Sequence, residues 1–350
     1  MSDKNLKKID DAEAALMGVD LEILAQRVTD VAGKASWLDS LMVLKAGRLL
    51  LELFQNEGSP TQLHAMHSVT KNWLSCLVGI ALDKGVLSSI EEPLYRVFAE
   101  RLPDYWDERK KKITLEHCLR MQSGLDYQNT MEFAELMGQN PDPVKFFFGS
   151  DLPVIAEPGM RWCYSGADSQ MVAEALRQQS RRSLSELARE WIADPLGIEN
   201  FEWPRHFPTP GAQEWPAEVG CSELSLTPGD FAKFVLCVSQ EGMHDGKPVI
   251  PSRWLALASV PSDGVDGELL AAFYREIGAP EVPGMAGYGM HLGSMKLQDR
   301  DIVTLSGAGG QYGFIIKDLD LVVVQTANFS GDGLSGGAIL LRDTILPALS

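Results

Sequence analysis

The stretch His64–Gly85 reads HAMHSVTKNWLSCLVGIALDKG. Leu74, Leu77, Val78, Ala81 and Leu82 recur at helical spacing, and Lys84-Gly85 supplies a stop in which the glycine can take the left-handed cap conformation. This spacing predicts a helix opening near Ser68. Ser68 and Lys71 then share one helix face at i and i+3. A hydroxyl at a helix start lies at the positive end of the dipole, beside backbone N–H groups without intrahelical partners. Such groups can hold a developing oxyanion, and an amine among apolar neighbours can act as a base. Two readings are open. Either Ser68 caps the helix while Lys71 snorkels, or Ser68 is a nucleophile with its base one turn away. The pattern S-x-x-K is too short to decide.

Two further stretches supply partners. In PGMRWCYSGADSQ, Tyr164-Ser165 stands at a predicted helix start after the Pro158-Gly159 turn. A tyrosine beside a lysine can relay a proton to a leaving group. In LSGAGGQYGF, a strand ends in Gly307-Ala308-Gly309-Gly310. A substrate carbonyl can approach this bare backbone, and the Ala308 N–H is a second candidate oxyanion donor. Alone, Tyr164 reads as a half-buried aromatic and the glycines as a tight hairpin. All three features in this order, in fitting helix, strand and loop contexts, favour the nucleophile.

Outward from the site, Ser40–Gln55 reads as a hairpin around Lys45-Ala46-Gly47-Arg48, preceded by a helix over 20–34. ITLEHCLRMQSG predicts a helix with Thr114 as cap and Gly124 as stop. Further helices are predicted at 165–180, 183–197 and 226–242, the last with Thr227 as cap and Pro228 in the first turn. The Pro- and Gly-rich stretches 205–220 and 260–287 read as long surface loops. YGMHLGSMKL, DIVTLSG, QYGFIIKD and LDLVVVQTAN then read as strands, and a helix over 336–349 closes the chain. The fold class expected is α+β, with one antiparallel sheet formed from both chain ends, flanking helices and an inserted all-helical region. The sheet region is placed at 1–66 and 285–350, the helical region at 67–284, and the site at their interface.

The chain has 350 residues, 45% of them apolar, enough for a sizeable core. Its net charge of −17 argues against nonspecific nucleic-acid binding, which needs clustered cations. The N-terminus MSDKNLKKIDDAEAAL has no apolar h-region, and no stretch reaches a membrane span. Five scattered cysteines without a CxxC pair read as reduced thiols in a cytoplasmic protein. No metal site is expected. Gly333-Leu334-Ser335-Gly336-Gly337 fits G-x-S-x-G, but no histidine follows Ser335 to complete that arrangement. It reads as a glycine turn into the last helix.

HSVTKNWLSCLVGIALDKG, ITLEHCLRMQSGLDY, PGMRWCYSGADSQMVAEAL, LTPGDFAKFVLCVSQEGMHDGKPVIP, GYGMHLG and LSGAGGQYGF carry a resemblance. The chain resembles the serine β-lactamase and penicillin-binding-protein superfamily, nearest its class C β-lactamase-like esterases and 6-aminohexanoate-dimer hydrolases. The resemblance implies a β-lactamase/transpeptidase-like fold and a serine hydrolase. It implies Ser68 as acylated nucleophile, Lys71 as its partner and Tyr164 as the tyrosine of the Y-x-N motif. Leu305-Ser306-Gly307 falls where the family has K-T-G, so Ala308 matches the residue whose N–H joins that of Ser68 in an oxyanion hole. Gly166 and Gly307 match substrate-binding positions. His291 matches a strand bordering the site, where it contacts substrate or covers the sheet, and Tyr127 matches a pocket wall.

Two positions depart from the β-lactamase pattern. Gly166 replaces an asparagine that would hold a substrate amide, and Leu305 replaces a lysine suited to a substrate carboxylate. Both weaken β-lactam hydrolysis and leave ester or linear-amide cleavage intact. Asp168 and Gln170 after YSG also point toward the esterases and dimer hydrolases. The expectation is a cofactor-free hydrolase of small-molecule esters or amides. The alternatives are a β-lactamase or D-peptidase, or a non-catalytic binding protein that kept the fold. Oligomeric state is not readable.

Overall fold

The structure is a computed structural model that describes residues 6–56, 58–126, 142–150, 152–206 and 217–349. Strands β1 (Leu38–Lys45) and β2 (Arg48–Phe54) form the N-terminal hairpin. Ala46 and Gly47 at its tip both have positive φ, at 50° and 73°. That is the turn whose twist matches the flanking strands. The C-terminal part of the chain adds β3 (Met285–Tyr288), β4 (Gly293–Leu297), β5 (Arg300–Gly307), β6 (Gln311–Ile316) and β7 (Leu321–Ala327). The sheet order is β3-β4-β5-β6-β7-β1-β2, antiparallel throughout. β1 lies against β7 with Met42 opposite Val324, so the two chain ends close one sheet, as expected.

The central strands are buried on both faces, which is why they read as nearly unbroken apolar runs. Leu41, Val43, Phe314 and Val323 face one core, shared with Leu24, Val28 and Ala32 of helix α1 (Leu21–Ala32) and with the C-terminal helix. Met42, Leu44, Val322 and Val324 face a larger core under the helical region. Helix α2 (Val69–Asp83) runs through that second core. Every residue from Val69 to Ala81 is buried, so α2 is an internal helix rather than an amphipathic surface one.

Helix α3 (Leu115–Leu119) has the expected Thr114 cap, whose hydroxyl accepts from His117 N. It stops at Leu119, before Gly124. Met121 takes a left-handed φ of 59° and turns the chain there. Helix α4 (Gly166–Ser180) starts where expected, capped by Ser165, and α5 (Pro228–Ser239) carries the expected cap Thr227. Over 183–197 the helix is interrupted by a π-helical turn at Arg189–Ala193.

The stretch 260–287 corrects the sequence reading. It contains helix α6 (Gly267–Glu276), capped by Asp266, whose side chain accepts from Leu269 N. The flanking prolines and glycines mask an apolar pattern of Leu269, Leu270, Phe273 and Ile277 at helical spacing. The last helix, α7 (Gly333–Leu340), starts three residues earlier than expected because Asp332 caps it through Ser335 N. Of the stretch 205–220, Arg205–His206 and Ala217–Glu218 pair as a short antiparallel ladder.

Candidate active site

Ser68 occupies the N-cap position of α2 but makes no side-chain capping bond among the described residues. Its backbone is already helical, at φ −66° and ψ −12°, which turns the hydroxyl away from the amides it would cap. Tyr164 OH donates to Ser68 Oγ at 2.8 Å, and Lys71 Nζ donates to the same oxygen at 3.1 Å. Ser68 therefore does not cap α2 through its side chain. Lys71 does not snorkel either. It is 2% exposed, and its Nζ also donates to the Cys221 carbonyl at 2.8 Å. The ammonium lies 4.9 Å from the centroid of the Tyr164 ring.

Tyr164 is held from both sides in the chain. Cys163 N donates to Met121 O at 2.9 Å, and Ser165 N donates to Met121 Sδ at 3.3 Å. Ser165 Oγ in turn accepts from Asp168 N at 3.0 Å, fixing the start of α4. Asp168 is fully buried, and burial raises its pKa to about 7 against hydrogen bonds from Ser123 and Ser165.

The end of β5 comes alongside Ser68 because Gly307 has no side chain. A Cβ there would stand 2.3 Å from Met66 O, two residues before Ser68. This close backbone approach places Gly307 and Ala308 with Ser68, Tyr164, Ser306 and His291 around one cavity of about 400 Å³. Leu305 does not line it; its side chain is fully buried in the larger core, on the opposite side of the strand from Ser306. Gly166 forms the first turn of α4 and does not line the cavity either. Tyr127 lies outside the described residues.

His291 lines the cavity but sits in the turn between β3 and β4, not on a strand, with a left-handed φ of 61°. Its carbonyl accepts from Asn72 Nδ2, and the neighbouring Met290 carbonyl accepts from Ser75 Oγ at 2.8 Å. Asn72 and Ser75 of α2 thus clamp this turn. His291 Nε2 lies 3.2 Å from Ser169 Oγ, whose proton goes to Ser165 O. Burial, helped by the nearby Lys71 charge, lowers the His291 pKa to about 3, so the ring is neutral.

Sequence reasoning missed Cys221, Met121 and Asn72 as parts of this site. The first two act through backbone or sulfur acceptors that leave no residue-type signature. Asn72 follows Lys71 directly and is legible only once α2 is known to be buried all round. Ser335 is remote from any triad geometry, its Oγ donating to Glu281 O at 3.0 Å. Among the described residues, no group of three His, Cys, Asp or Glu side chains is placed to hold a metal ion, and no helix is long and apolar enough to cross a membrane.

The sequence matches the Beta-lactamase family profile over residues 33–342, and the chain belongs to that family. No curated protein matches it. Solved structures share its fold at low identity. EstCE1, a hydrolase with promiscuous acyltransferase activity, is similar at 17% identity and a TM-score of 0.71, covering 93% of this chain and 99% of its own. A D-stereospecific amidohydrolase from Streptomyces sp. is similar at 16% identity, TM-score 0.66, over 93% and 98% of the two chains. A Bacillus anthracis protein named for 6-aminohexanoate-dimer hydrolase is similar at 18% identity, TM-score 0.70, over 92% and 81%.

Proposed function

We propose that this protein is a serine hydrolase that cleaves a carboxylic ester or linear amide through an acyl-enzyme on Ser68. The observation that carries this is the convergence of Tyr164 OH and Lys71 Nζ on a Ser68 hydroxyl that caps nothing. In acylation, Ser68 Oγ bonds to the substrate carbonyl carbon while its proton passes to the Lys71–Tyr164 pair. The N–H groups of Ser68 and Ala308 hold the oxyanion. The carbon–oxygen or carbon–nitrogen bond then breaks, and the departing alcohol or amine takes the proton by way of Tyr164. Water repeats the sequence on the acyl-enzyme, releasing the acid and returning the proton to Ser68. Lys71 and Tyr164 act as one coupled unit in these transfers.

Family membership supports the reaction class, as do the neighbours named as a hydrolase with acyltransferase activity and a D-stereospecific amidohydrolase. Gly166 and Leu305 leave no asparagine amide and no lysine ammonium for a β-lactam, which favours ester or linear-amide substrates. The test is labelling with a fluorophosphonate, with mass spectrometry locating the adduct. The adduct is expected on Ser68 and absent from Ser68→Ala; labelling that persists in Ser68→Ala overturns the assignment.

A further inference from the structure

The cavity beside Ser68 has one strongly aromatic side. Trp162, Phe273 and Tyr288 line it, with ring centroids 5.5 Å apart for Trp162–Phe273 and 5.9 Å for Trp162–Tyr288. Leu270, Ile277 and Met285 extend this surface. Among the described residues that line the cavity, none is Asp, Glu, Lys or Arg. Burial keeps His291 neutral, with a pKa of about 3, and raises the Tyr274 and Tyr288 phenols above their usual range. Lys71 does not line the cavity; it is buried and hydrogen-bonded to Ser68 Oγ and the Cys221 carbonyl. A carboxylate or ammonium entering this space gives up hydration and meets no charged side chain among the described lining residues, which is unfavourable. An apolar group loses only its contact with water, which is favourable.

We infer that the substrate's acyl group is uncharged and apolar, either a single aromatic ring or a short branched chain. This rests on the reading of Ser68 as nucleophile and specifies what Ser68 carries. Ser68 and Ala308 both line the cavity, so an acyl carbon bonded to Ser68 Oγ has the aromatic side as its adjoining space. A volume of about 400 Å³ lies at the small end of ligand sites, which run from roughly 300 to 1,000 Å³. The wall also belongs to its own small cluster of Met121, Trp162, Val265 and Leu270, with Tyr164, Phe273, Met285 and Tyr288 packed against it. Met285 also packs against the core shared with α1, whereas Trp162, Phe273 and Tyr288 belong to the small cluster alone.

The test uses p-nitrophenyl esters that share one leaving group: benzoate and isovalerate as neutral acyl groups, hemisuccinate as the anion and β-alaninate as the cation. Fluorophosphonate labelling of Ser68 is measured on the same preparation. Benzoate and isovalerate are expected to exceed both charged esters in kcat/KM by at least about tenfold. Ile277→Arg places a cation at a half-exposed rim position and is expected to raise the hemisuccinate-to-benzoate ratio by about tenfold. If Ser68 labels but a charged ester is turned over as fast as benzoate, the substrate inference is overturned while the nucleophile stands. An unchanged ratio in Ile277→Arg, with Ser68 still labelled, overturns it in the same way. If Ser68 does not label, the nucleophile assignment fails and the inference falls with it.

Discussion

Tyr164 OH stands 2.8 Å from Ser68 Oγ, joining residues 96 positions apart in the chain. The serine oxygen also accepts from Lys71 Nζ, so both of its lone-pair directions are occupied by proton carriers. Whichever of the two gives up its proton becomes the acceptor for the serine's own. In the proposed reaction these three atoms pass a proton among themselves without a histidine.

Tyr164→Phe removes only the hydroxyl and keeps the ring packed against Phe273, 5.2 Å away centroid to centroid. Its kcat is expected to fall by about 10²–10⁴, the usual contribution of a positioned acid or base. The check is steady-state kinetics beside a thermal melt. A large fall in kcat with an unshifted melting temperature assigns the hydroxyl to proton transfer, whereas unchanged kcat removes Tyr164 from the mechanism.

Lys71→Met preserves the buried stem but leaves the Cys221 carbonyl without its Nζ donor. Stability is expected to drop by about 1–3 kcal/mol, the penalty for orphaning a buried acceptor, alongside loss of acylation. Urea unfolding measures the first and the fluorophosphonate labelling rate the second. Full labelling speed in this variant would rule out Lys71 as part of the base.

Asp168 gives a pH signature of known sign. Its folded pKa of about 7 is above the ordinary 3.8, so the protonated form is the one the fold prefers. Its stabilising contribution is complete below about pH 4 and is lost as pH rises through about 7. Asp168→Asn keeps the shape without the charge. Its melting temperature relative to wild type is expected to rise from pH 4 to 7 and level off above, as followed by calorimetry across that range. A flat difference would mean that the carboxyl is ionised at little penalty in the fold.

Gly307→Ala would drive a methyl group to within 2.3 Å of the Met66 carbonyl. The two backbones must separate, carrying Ser68 away from the end of β5. A loss of about 1–3 kcal/mol is expected, as for overpacking elsewhere, together with slower acylation of Ser68. Thermal melts and labelling rates read the two effects. Wild-type values for both would show that the close approach is dispensable.

Much of this site is legible in the sequence because its chemistry rides on local patterns. Ser68 and Lys71 announce themselves at the mouth of an apolar helical run, and Tyr164 precedes a residue that caps a helix. The hairpin at Ala46-Gly47 and the Thr227-Pro228 helix start are likewise set by neighbours in the chain. What escapes is tertiary. Helix α6 lies in a stretch whose prolines and glycines outweigh its Leu270–Phe273–Ile277 face, so the aromatic wall goes unseen. His291 is read as a strand residue, yet α2 pins it into a left-handed turn through Asn72, a contact across 219 positions. The Cys221 carbonyl could be supplied by any residue type, so no sequence pattern points to it.

Helix α2 is enclosed on every side from Val69 to Ala81, while the aromatic wall stands in a separate cluster of its own. The helix that carries Ser68 and the wall that lines the cavity therefore belong to different packing units. A substitution in the wall alters the cavity without touching α2, whereas a substitution in α2 disturbs the larger core before it reaches the cavity.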